Sequence, residues 1–319
     1  MQKKIPQVTD KQLLNDWRST FGSQVTLEEF DMLTHGVYSR NSLLAMVKDW
    51  NLFSEFCQTK QVSSLPASVT VVRLFIEREA KKRKFSTLKR YAVTLSLVHR
   101  LLYDTDPVSN SLVRQLLASY RMDKFGDAKQ AEGLTLNHIK ELDRILMETP
   151  SPKSVRDLAI YYVMFECVLK RSDLKSLSFS DLTECENHYL VSIKDHTYEL
   201  SYRCSSVLKL WLSVAGDNPD LCLFRAIDRH GNVSSTQMDD SSIYRVLASA
   251  SDLLNLSIKF SGQSTRVGAA QHLASRGKKA KEIQEFGRWL SPAMPYQYIG
   301  LKQTAEDEKR VYKIIKPWE

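Results

Sequence analysis

The chain has 319 residues, of which 43% are hydrophobic and 26% charged, as is ordinary for a globular protein with room for two domains. No apolar run approaches the roughly 20 residues that span a bilayer, and no signal-peptide core follows the N-terminus, so we expect a cytoplasmic protein without a membrane partner. The formal net charge is +8, and residues 1–133 hold 20 Lys and Arg against 14 Asp and Glu. This balance suits a polyanionic partner, although many mildly basic proteins bind no nucleic acid.

The first 125 residues predict a bundle of four or five helices. Apolar residues at three- and four-residue spacing predict a helix over 41–59. Three more are predicted from capping residues and breaks: residues 69–82 capped by Ser68, residues 87–103 capped by Ser86, and a helix opened by Ser109 that runs to about residue 122. The basic run Lys81–Lys84 lies between two of these helices. It either contacts DNA phosphates or forms a solvated helix end.

The second half predicts mixed secondary structure after a polar linker. Residues 126–133 show no periodicity and are the predicted interdomain linker. A β-hairpin is predicted from strands at 189–193 and 197–202 with Lys194 in its turn. The predicted helices are residues 136–147 capped by Thr135, residues 154–169, segments near Ser205 and Ser241, and residues 265–275 and 280–289.

The five cysteines predict reduced thiols. Their number is odd and no Cys-x-x-Cys pair occurs, which argues against a disulfide framework and against a zinc ribbon. They are Cys57, Cys167, Cys185, Cys204 and Cys222.

Two sequence motifs near the C-terminus carry the functional signal. One runs from Ser261 to Ala270 as Ser-Gly-Gln-Ser-Thr-Arg-Val-Gly-Ala-Ala, and the other covers residues 284–299. Together they resemble the signature of the tyrosine recombinases, the phage integrase family, with particular likeness to its Cre-like branch. That signature is His-x-x-Arg on a helix, then a His or Trp, then Tyr nine residues later. It falls on Arg266, Trp289 and Tyr298, whereas Tyr296 is two residues short of the spacing.

The resemblance covers nearly the whole chain and implies its architecture. The expected fold is mainly α with a small β-sheet. Residues 1–125 would form a helical, SAM-like core-binding domain, and residues 134–319 an α+β catalytic domain that ends in the tyrosine helix and a tail. The two domains would clamp opposite faces of a DNA half-site.

The resemblance also implies a chemistry. Tyr298 would attack a DNA phosphodiester and form a 3′-phosphotyrosyl link, which keeps the bond energy and needs no cofactor or metal. Arg266 would bind the phosphate, Lys194 in the hairpin would protonate the leaving oxygen, and Trp289 would pack against the site. A metal-dependent nuclease is disfavoured, because the tyrosine region has no carboxylate cluster.

Partners follow from the same resemblance. We expect double-stranded DNA carrying a recombination site, and a homo-oligomer that grows from dimer to tetramer on it. The tail, residues 305–316 with Val311, Ile314 and Ile315, either docks on a neighbouring copy or packs on its own domain. The expected DNA contacts are Arg266, Lys129, Arg90, Lys89 and Lys84.

Two positions depart from the family pattern. Lys170 stands where the first arginine is expected, three residues before the supporting acid Asp173, and a helical step of about 100° would turn the adjacent Arg171 away. Gln263 stands where a histidine is usual, and glutamine can donate a hydrogen bond but carries no charge.

These departures leave two hypotheses open. The chain is either a slow recombinase or a DNA-binding relative without catalysis that acts as an accessory or regulatory factor. None of the seven histidines is an obvious replacement for the missing one. His272 is expected to point elsewhere, whereas His196 is close in sequence to Lys194.

Overall fold

The computed structural model describes residues 5–6, 8–103, 105–127, 129–216 and 221–314, with the side chains of 309–314 excepted. The chain forms two compact units, Met1–Lys129 and Gln130–Glu319. Among the described residues, no helix is both long enough and apolar enough to cross a membrane. All five cysteines are free thiols, and Cys57, Cys167 and Cys204 are buried.

The regular secondary structure of the N-terminal unit consists of helices in the part of the chain that is described. Its helices pack around an aromatic core that contains Trp50, Phe53 and Phe75. The ring centroids of Trp50 and Phe53 are 5.8 Å apart, and those of Phe53 and Phe75 are 5.1 Å apart. The helices are α1 (Lys11–Thr20), α2 (Leu27–Leu33), α3 (Arg40–Thr59), α4 (Val69–Ala80), α5 (Phe85–Leu102) and α6 (Ser111–Asp123), with a 3-10 turn at Pro107–Ser109. The patterns had not predicted α1 and α2.

Two predicted helix starts in this unit are wrong. The helix expected to begin after Ser86 begins at Phe85, because the carboxylate of Asp127 accepts the Phe85 N–H at 2.7 Å and caps the helix from a distant segment. The helix expected to open at Ser109 is instead capped by Asn110, whose side chain accepts from the N–H of Leu112. The cap predicted at Ser68 is confirmed.

Two buried carboxylates of the N-terminal unit form ion pairs with basic side chains. Asp49 is 1% exposed and receives two hydrogen bonds of 2.8 Å from Arg90. Burial raises the pKa of Asp49, and the hydrogen bonds and charge of Arg90 oppose the rise. Glu79 is fully buried, and Lys82 and Arg83 lie 3.5 Å and 3.3 Å from it.

The C-terminal unit is mainly helical with small antiparallel sheets, as predicted. β1, β2 and β3 form one sheet in that order, and β4 pairs with β5. The strands are β1 (Leu182–Glu184), β2 (Tyr189–Ile193), β3 (His196–Glu199), β4 (Arg225–Ile227) and β5 (Val233–Gln237). The helices are α7 (Leu136–Glu148), α8 (Pro152–Glu166), α9 (Arg171–Ser176), α10 (Tyr202–Ala215), α11 (Asp240–Leu253), α12 (Gly262–Ser275), α13 (Ala280–Phe286), α14 (Ala293–Tyr298) and α15 (Lys302–Ile314), with a 3-10 turn at Phe179–Asp181.

Helix α8 is the centre of this unit. Every residue from Ser154 to Phe165 is buried, and α7, α10 and α12 pack around the helix. The small residues of α12 allow close approach of the chain, since a Cβ on Gly268 would lie 1.9 Å from the carbonyl oxygen of Leu134. The predicted hairpin is present, but its second strand ends at Glu199, because Ser201 caps α10 and Tyr202 is its first residue.

Candidate active site

A pocket of about 580 Å³ in the C-terminal unit brings most of the predicted site residues together. It opens between the start of α9, the N-terminal end of α12, α11, and the segment from Trp289 to α14. Three of its lining residues are cations, and none of the described residues that line it is acidic. The lining consists of Lys170, Arg171, Tyr244, Ser261, Gly262, Gln263, Arg266, Trp289, Met294 and Tyr298.

Arg266 is fixed in the wall of this pocket by backbone carbonyls. Its Nη1 donates to the carbonyl oxygen of Val168 at 2.6 Å and its Nη2 to that of Gly287 at 3.0 Å. The residue is 5% exposed, and burial lowers its pKa. An arginine stays protonated despite such a shift, so the pocket holds a fixed positive charge whose protein partners are neutral carbonyls.

Trp289 and Tyr298 complete the aromatic side of the site. The Arg266 guanidinium lies 4.6 Å from the centre of the Trp289 ring, within reach of a cation–π interaction. Trp289 and Tyr298 meet edge to face, with centroids 5.5 Å apart. Gly287 is required beside them, because a Cβ there would lie 1.9 Å from the indole ring.

Tyr298 is the last residue of α14 and is 4% exposed. Burial raises the pKa of its hydroxyl, while the charge and hydrogen-bonding contact of Arg266 lower it. Its carbonyl oxygen accepts from the side chains of Gln130 and Gln271 at 3.3 Å and 3.2 Å. The geometry therefore fixes a phenol against a guanidinium, whereas Tyr296 on the same helix does not line the pocket.

A second, largely buried arginine does not line the pocket but fixes the segment before Trp289. Arg288 adopts a left-handed backbone (φ 54°), and its Nη2 donates to Asp173 at 3.1 Å in an ion pair with side chains only 10% and 12% exposed. Its Nη1 donates to the carbonyl oxygen of Cys167 and to the hydroxyl of Tyr198. These contacts tie the segment before Trp289 to α8, α9 and β3, which offsets the cost of the strained backbone.

Lys170 and Gln263 both line the pocket. Gln263 is at the N-terminal end of α12, a 14-residue helix whose first turn opens into the pocket. The positive dipole end of such a helix favours an anion, although the N–H of Gln263 already donates to the Ser261 hydroxyl at 3.3 Å. Asp173 accepts the Lys170 backbone N–H at 3.2 Å besides binding Arg288, so it supports the site through the backbone.

Lys194 and two histidines lie outside this pocket. Lys194 is exposed at the tip of the β2–β3 hairpin with φ 55° and does not line the pocket. His196 is exposed and stacks on Tyr198, with ring centroids 6.4 Å apart. His272 faces a different pocket, where it packs against Phe165.

That second pocket, of about 700 Å³, carries both signs of charge. Its lining includes Asp143, Glu166 and Glu199 as well as the cations Lys140 and Arg203. Arg203 donates to both carboxylate oxygens of Asp143 at 2.6 Å and 2.7 Å. Burial raises the pKa of Asp143, but the hydrogen bonds from Arg203 and Tyr162 outweigh it and leave the pKa lowered.

The predicted DNA contacts of the N-terminal unit differ in their surroundings. Lys84, Lys89, Arg90 and Lys129 are all exposed residues. Arg90 is nevertheless bound to Asp49, and the neighbouring Lys82 and Arg83 are anchored on Glu79. The basic run is therefore partly a structural element. In the tail, α15 buries Ala305, but the side chains of Val311 and Ile314, and all of Ile315, lie outside the described residues.

Sequence reasoning missed several residues of the site. Arg171 lines the pocket although a helical step was expected to turn it away. Tyr244 could have been identified from the sequence, because it is an aromatic residue near the polar start of α11. In the structure its side chain is 44% exposed. Ser261, Gly262 and Met294 belong to the quoted motifs but had no assigned role. Arg288 also lies in the second motif, but only the fold shows its partners.

Comparison with known proteins supports the reading of the motifs. A profile described as the phage integrase family matches residues 134–304. The chain is 26% identical over 278 residues to an integrase/recombinase xerD homolog of Selenomonas ruminantium, a match that covers 81% of each chain. It is 22% identical over 283 residues to the recombinase cre of Escherichia phage P1, covering 81% of this chain and 82% of that protein. The solved XerH site-specific recombinase, bound to a palindromic difH substrate, has a similar fold, with TM-score 0.62 and 14% identity over 97% of this chain and 91% of that one.

Proposed function

The chain belongs to the phage integrase family of tyrosine recombinases, and from that premise we propose that it breaks and rejoins DNA through Tyr298. One observation carries the proposal. A buried tyrosine is held against a buried arginine, in a pocket whose three cations have no carboxylate among the described lining residues. Such a pocket is suited to a phosphodiester, which would bring the missing negative charge.

In the proposed reaction the Tyr298 oxygen forms a bond to phosphorus as the bond to the 5′-oxygen breaks. The phenol proton passes to water, and the leaving 5′-oxygen takes up a proton from Lys194. Negative charge grows on the non-bridging oxygens, where donors that are already fixed act without reorganisation. Arg266 is such a donor, since two carbonyls hold its guanidinium in place. Gln263 and the first turn of α12 add neutral donors.

We assign the leaving-group proton to Lys194, with a hairpin movement as part of the proposal. The β2–β3 turn is only two residues long and exposes the side chain. An ammonium group on a flexible stem can reach a phosphate from such a position. Trp289 would act by packing against Arg266 and by offering its indole N–H to the phosphate.

We propose double-stranded DNA with a recombination site as the partner, bound by a homo-oligomer of two to four copies. The XerH site-specific recombinase of similar fold was solved bound to a palindromic difH substrate. In this chain we assign DNA-core binding to residues 1–125, linkage to residues 126–133 and catalysis to residues 134–319. Phosphate contacts by Lys84, Lys89, Arg90 and Lys129 would position the duplex, and they would make binding fall steeply with salt.

A second candidate function is DNA binding without cleavage, in an accessory or regulatory role. The observation that favours it is the composition of the pocket. Its described lining contains no histidine, and Lys194, the proposed acid, stands outside it. Loss of acid–base assistance slows such reactions by about 10²–10⁴-fold.

Covalent trapping tests the proposed function. Duplexes nicked near the scissile position, tiled across the DNA that flanks the gene, are mixed with the full chain and resolved on a denaturing gel. We expect a slow adduct that Tyr298→Phe abolishes and that Tyr296→Phe, the matched control on the same helix, retains. Both variants should bind the duplex as well as the natural protein does.

The double variant Lys170→Arg, Gln263→His separates the two candidates. If it forms an adduct where the natural chain forms none, DNA binding without catalysis is the better description. If neither protein forms an adduct with any duplex, the recombinase proposal fails.

A further inference from the structure

The backbone at the start of α9 changes which side chains can share one ligand. Lys170 is the N-cap of this helix, with extended φ −80° and ψ 159°, and Arg171 is its first helical residue. The 100° step of a helix therefore does not separate their side chains. Both line the pocket that contains Arg266 and Tyr298, so the expectation that Arg171 points away is wrong.

Arg171 lies across the first residue of α12. A Cβ placed on Gly262 would be 2.7 Å from Arg171 Cγ, 3.0 Å from its Cδ and 3.3 Å from its Nε. Glycine at this position thus leaves the space that the arginine stem occupies. The arginine stem therefore lies along the N-terminal end of α12.

The guanidinium of Arg171 has capacity for a ligand. Its Nη1 donates to the carbonyl oxygen of Asp240 at 3.4 Å, a long and neutral contact that orients the group. Among the described residues no carboxylate forms an ion pair with it, and the residue is exposed to solvent. By contrast, Arg288 is bound to Asp173.

We propose that Arg171 supplies the guanidinium fork for the scissile phosphate that Lys170, at the aligned position, does not provide. The inference rests on the proposed function, since it names a further ligand of the same phosphate. Arg171 and Arg266 would grip the non-bridging oxygens from the α9 and α12 sides of the pocket. A guanidinium binds two such oxygens at once, whereas the Lys170 ammonium adds a point charge.

The first test compares single variants in the covalent trapping assay. Arg171→Ala should slow adduct formation by about 10²–10³-fold and Arg171→Lys by less, whereas Lys170→Ala should slow it by less than tenfold. Arg245→Ala is the matched control, because Arg245 is an exposed arginine on α11 that does not line the pocket. A normal rate in Arg171→Ala together with a large loss in Lys170→Ala would overturn the proposal.

A substrate with a neutral methylphosphonate at the scissile position sharpens this test. If Arg171 neutralises a non-bridging oxygen, the penalty of Arg171→Ala should shrink at least tenfold on that substrate. Gly262→Ala should displace the arginine stem and reproduce much of the loss. Combined with Arg171→Ala it should add little further loss, since both changes act on one contact.

Inorganic phosphate provides a readout that is independent of cleavage. Titration of the full-length Tyr298→Phe protein should give a dissociation constant that Arg171→Ala weakens about tenfold and Arg245→Ala leaves unchanged. If this holds while no duplex is ever cleaved, the proposed function fails and the anion assignment stands. If cleavage depends on Tyr298 but Arg171→Ala alters neither cleavage nor phosphate affinity, the function stands and the Arg171 assignment is wrong. Absence of phosphate binding by the Tyr298→Phe protein also overturns the assignment.

Discussion

Two pockets of the C-terminal unit differ in how their charges are compensated. In the pocket around Asp143, the carboxylate and Arg203 satisfy each other through two short hydrogen bonds. In the pocket around Tyr298, Arg266 is held by carbonyls, and Lys170 and Arg171 face the same space with no carboxylate among the described lining residues. Cations with a protein partner hold the fold together. Cations that are held in place without a carboxylate partner remain available to bind an anionic ligand, at some cost in stability.

The largest effect should come from Arg266→Gln. We expect the cleavage rate to fall by about 10²–10³-fold, because a fixed donor to the phosphate is lost. The free energy of unfolding should change by no more than about 1 kcal/mol, since removing a buried charge without a carboxylate partner offsets the lost hydrogen bonds. Single-turnover cleavage and urea unfolding measure the two quantities. A large loss of stability without loss of cleavage would break the comparison.

Arg288→Met should have the opposite effect: its main consequence should be a loss of stability rather than of cleavage rate. The change leaves the Asp173 carboxylate, 12% exposed, without its ionic partner, and we expect a loss of about 3 kcal/mol in unfolding free energy. The double variant Arg288→Met, Asp173→Leu removes both charges and should recover part of that loss. No recovery in the double variant would show that Arg288 acts through its carbonyl and tyrosine contacts instead.

The ion pair of the N-terminal unit should respond less strongly. Arg90→Met leaves Asp49 buried, but half of the Arg90 side chain is exposed, so we expect a loss of about 2 kcal/mol. Arg73→Met is the matched control, because its pair with Glu77 is exposed on both sides and should contribute less than about 0.5 kcal/mol. Equal losses in the two variants would contradict the structural role given to Asp49.

The smallest effect concerns His99, which is fully buried in the N-terminal unit. Its Nε2 accepts the Ala67 N–H at 3.0 Å and its Nδ1 lies 2.8 Å from the Leu95 carbonyl oxygen, an arrangement that suits the neutral ring. Burial lowers its pKa from 6.5. The unfolded chain therefore binds the proton more readily, and stability present above about pH 6.5 is lost as the pH falls toward the lowered value.

We expect the free energy of unfolding to fall as the pH is lowered below 6.5, by at most about 1.4 kcal/mol per pH unit from this residue. Hydrogen exchange of α5 amides in the full chain reports the stability of this unit. His99→Gln should flatten the pH dependence in that window. An unchanged slope in the variant would assign the pH dependence to other groups.

Sequence patterns predicted the parts of the fold that depend on local signals. The periodic helix over 41–59 and the caps at Ser68 and Thr135 are confirmed, because spacing and capping chemistry act within a few residues. The start of α5 was missed because its cap is Asp127, which is distant in sequence. The three-residue strands β1 and β4 are too short to show a period.

The residues of the candidate site also fall into those that the sequence predicted and those that it did not. Arg266, Trp289 and Tyr298 were predicted from the resemblance to the family signature, and they line one pocket. Arg171 was excluded by an argument that assumed a helix at Lys170, where the backbone is extended. Arg288 was missed because its partners Cys167, Asp173 and Tyr198 lie more than 85 residues away in sequence.

The most direct measurement is a crystal structure of Tyr298→Phe bound to the duplex that the trapping assay selects. We expect one phosphodiester in the pocket, with guanidinium nitrogens of Arg266 and Arg171 about 2.7–3.0 Å from its non-bridging oxygens. The ring of residue 298 should point at the phosphorus, opposite the leaving 5′-oxygen. A bound duplex whose phosphates all lie outside this pocket would contradict the central claim.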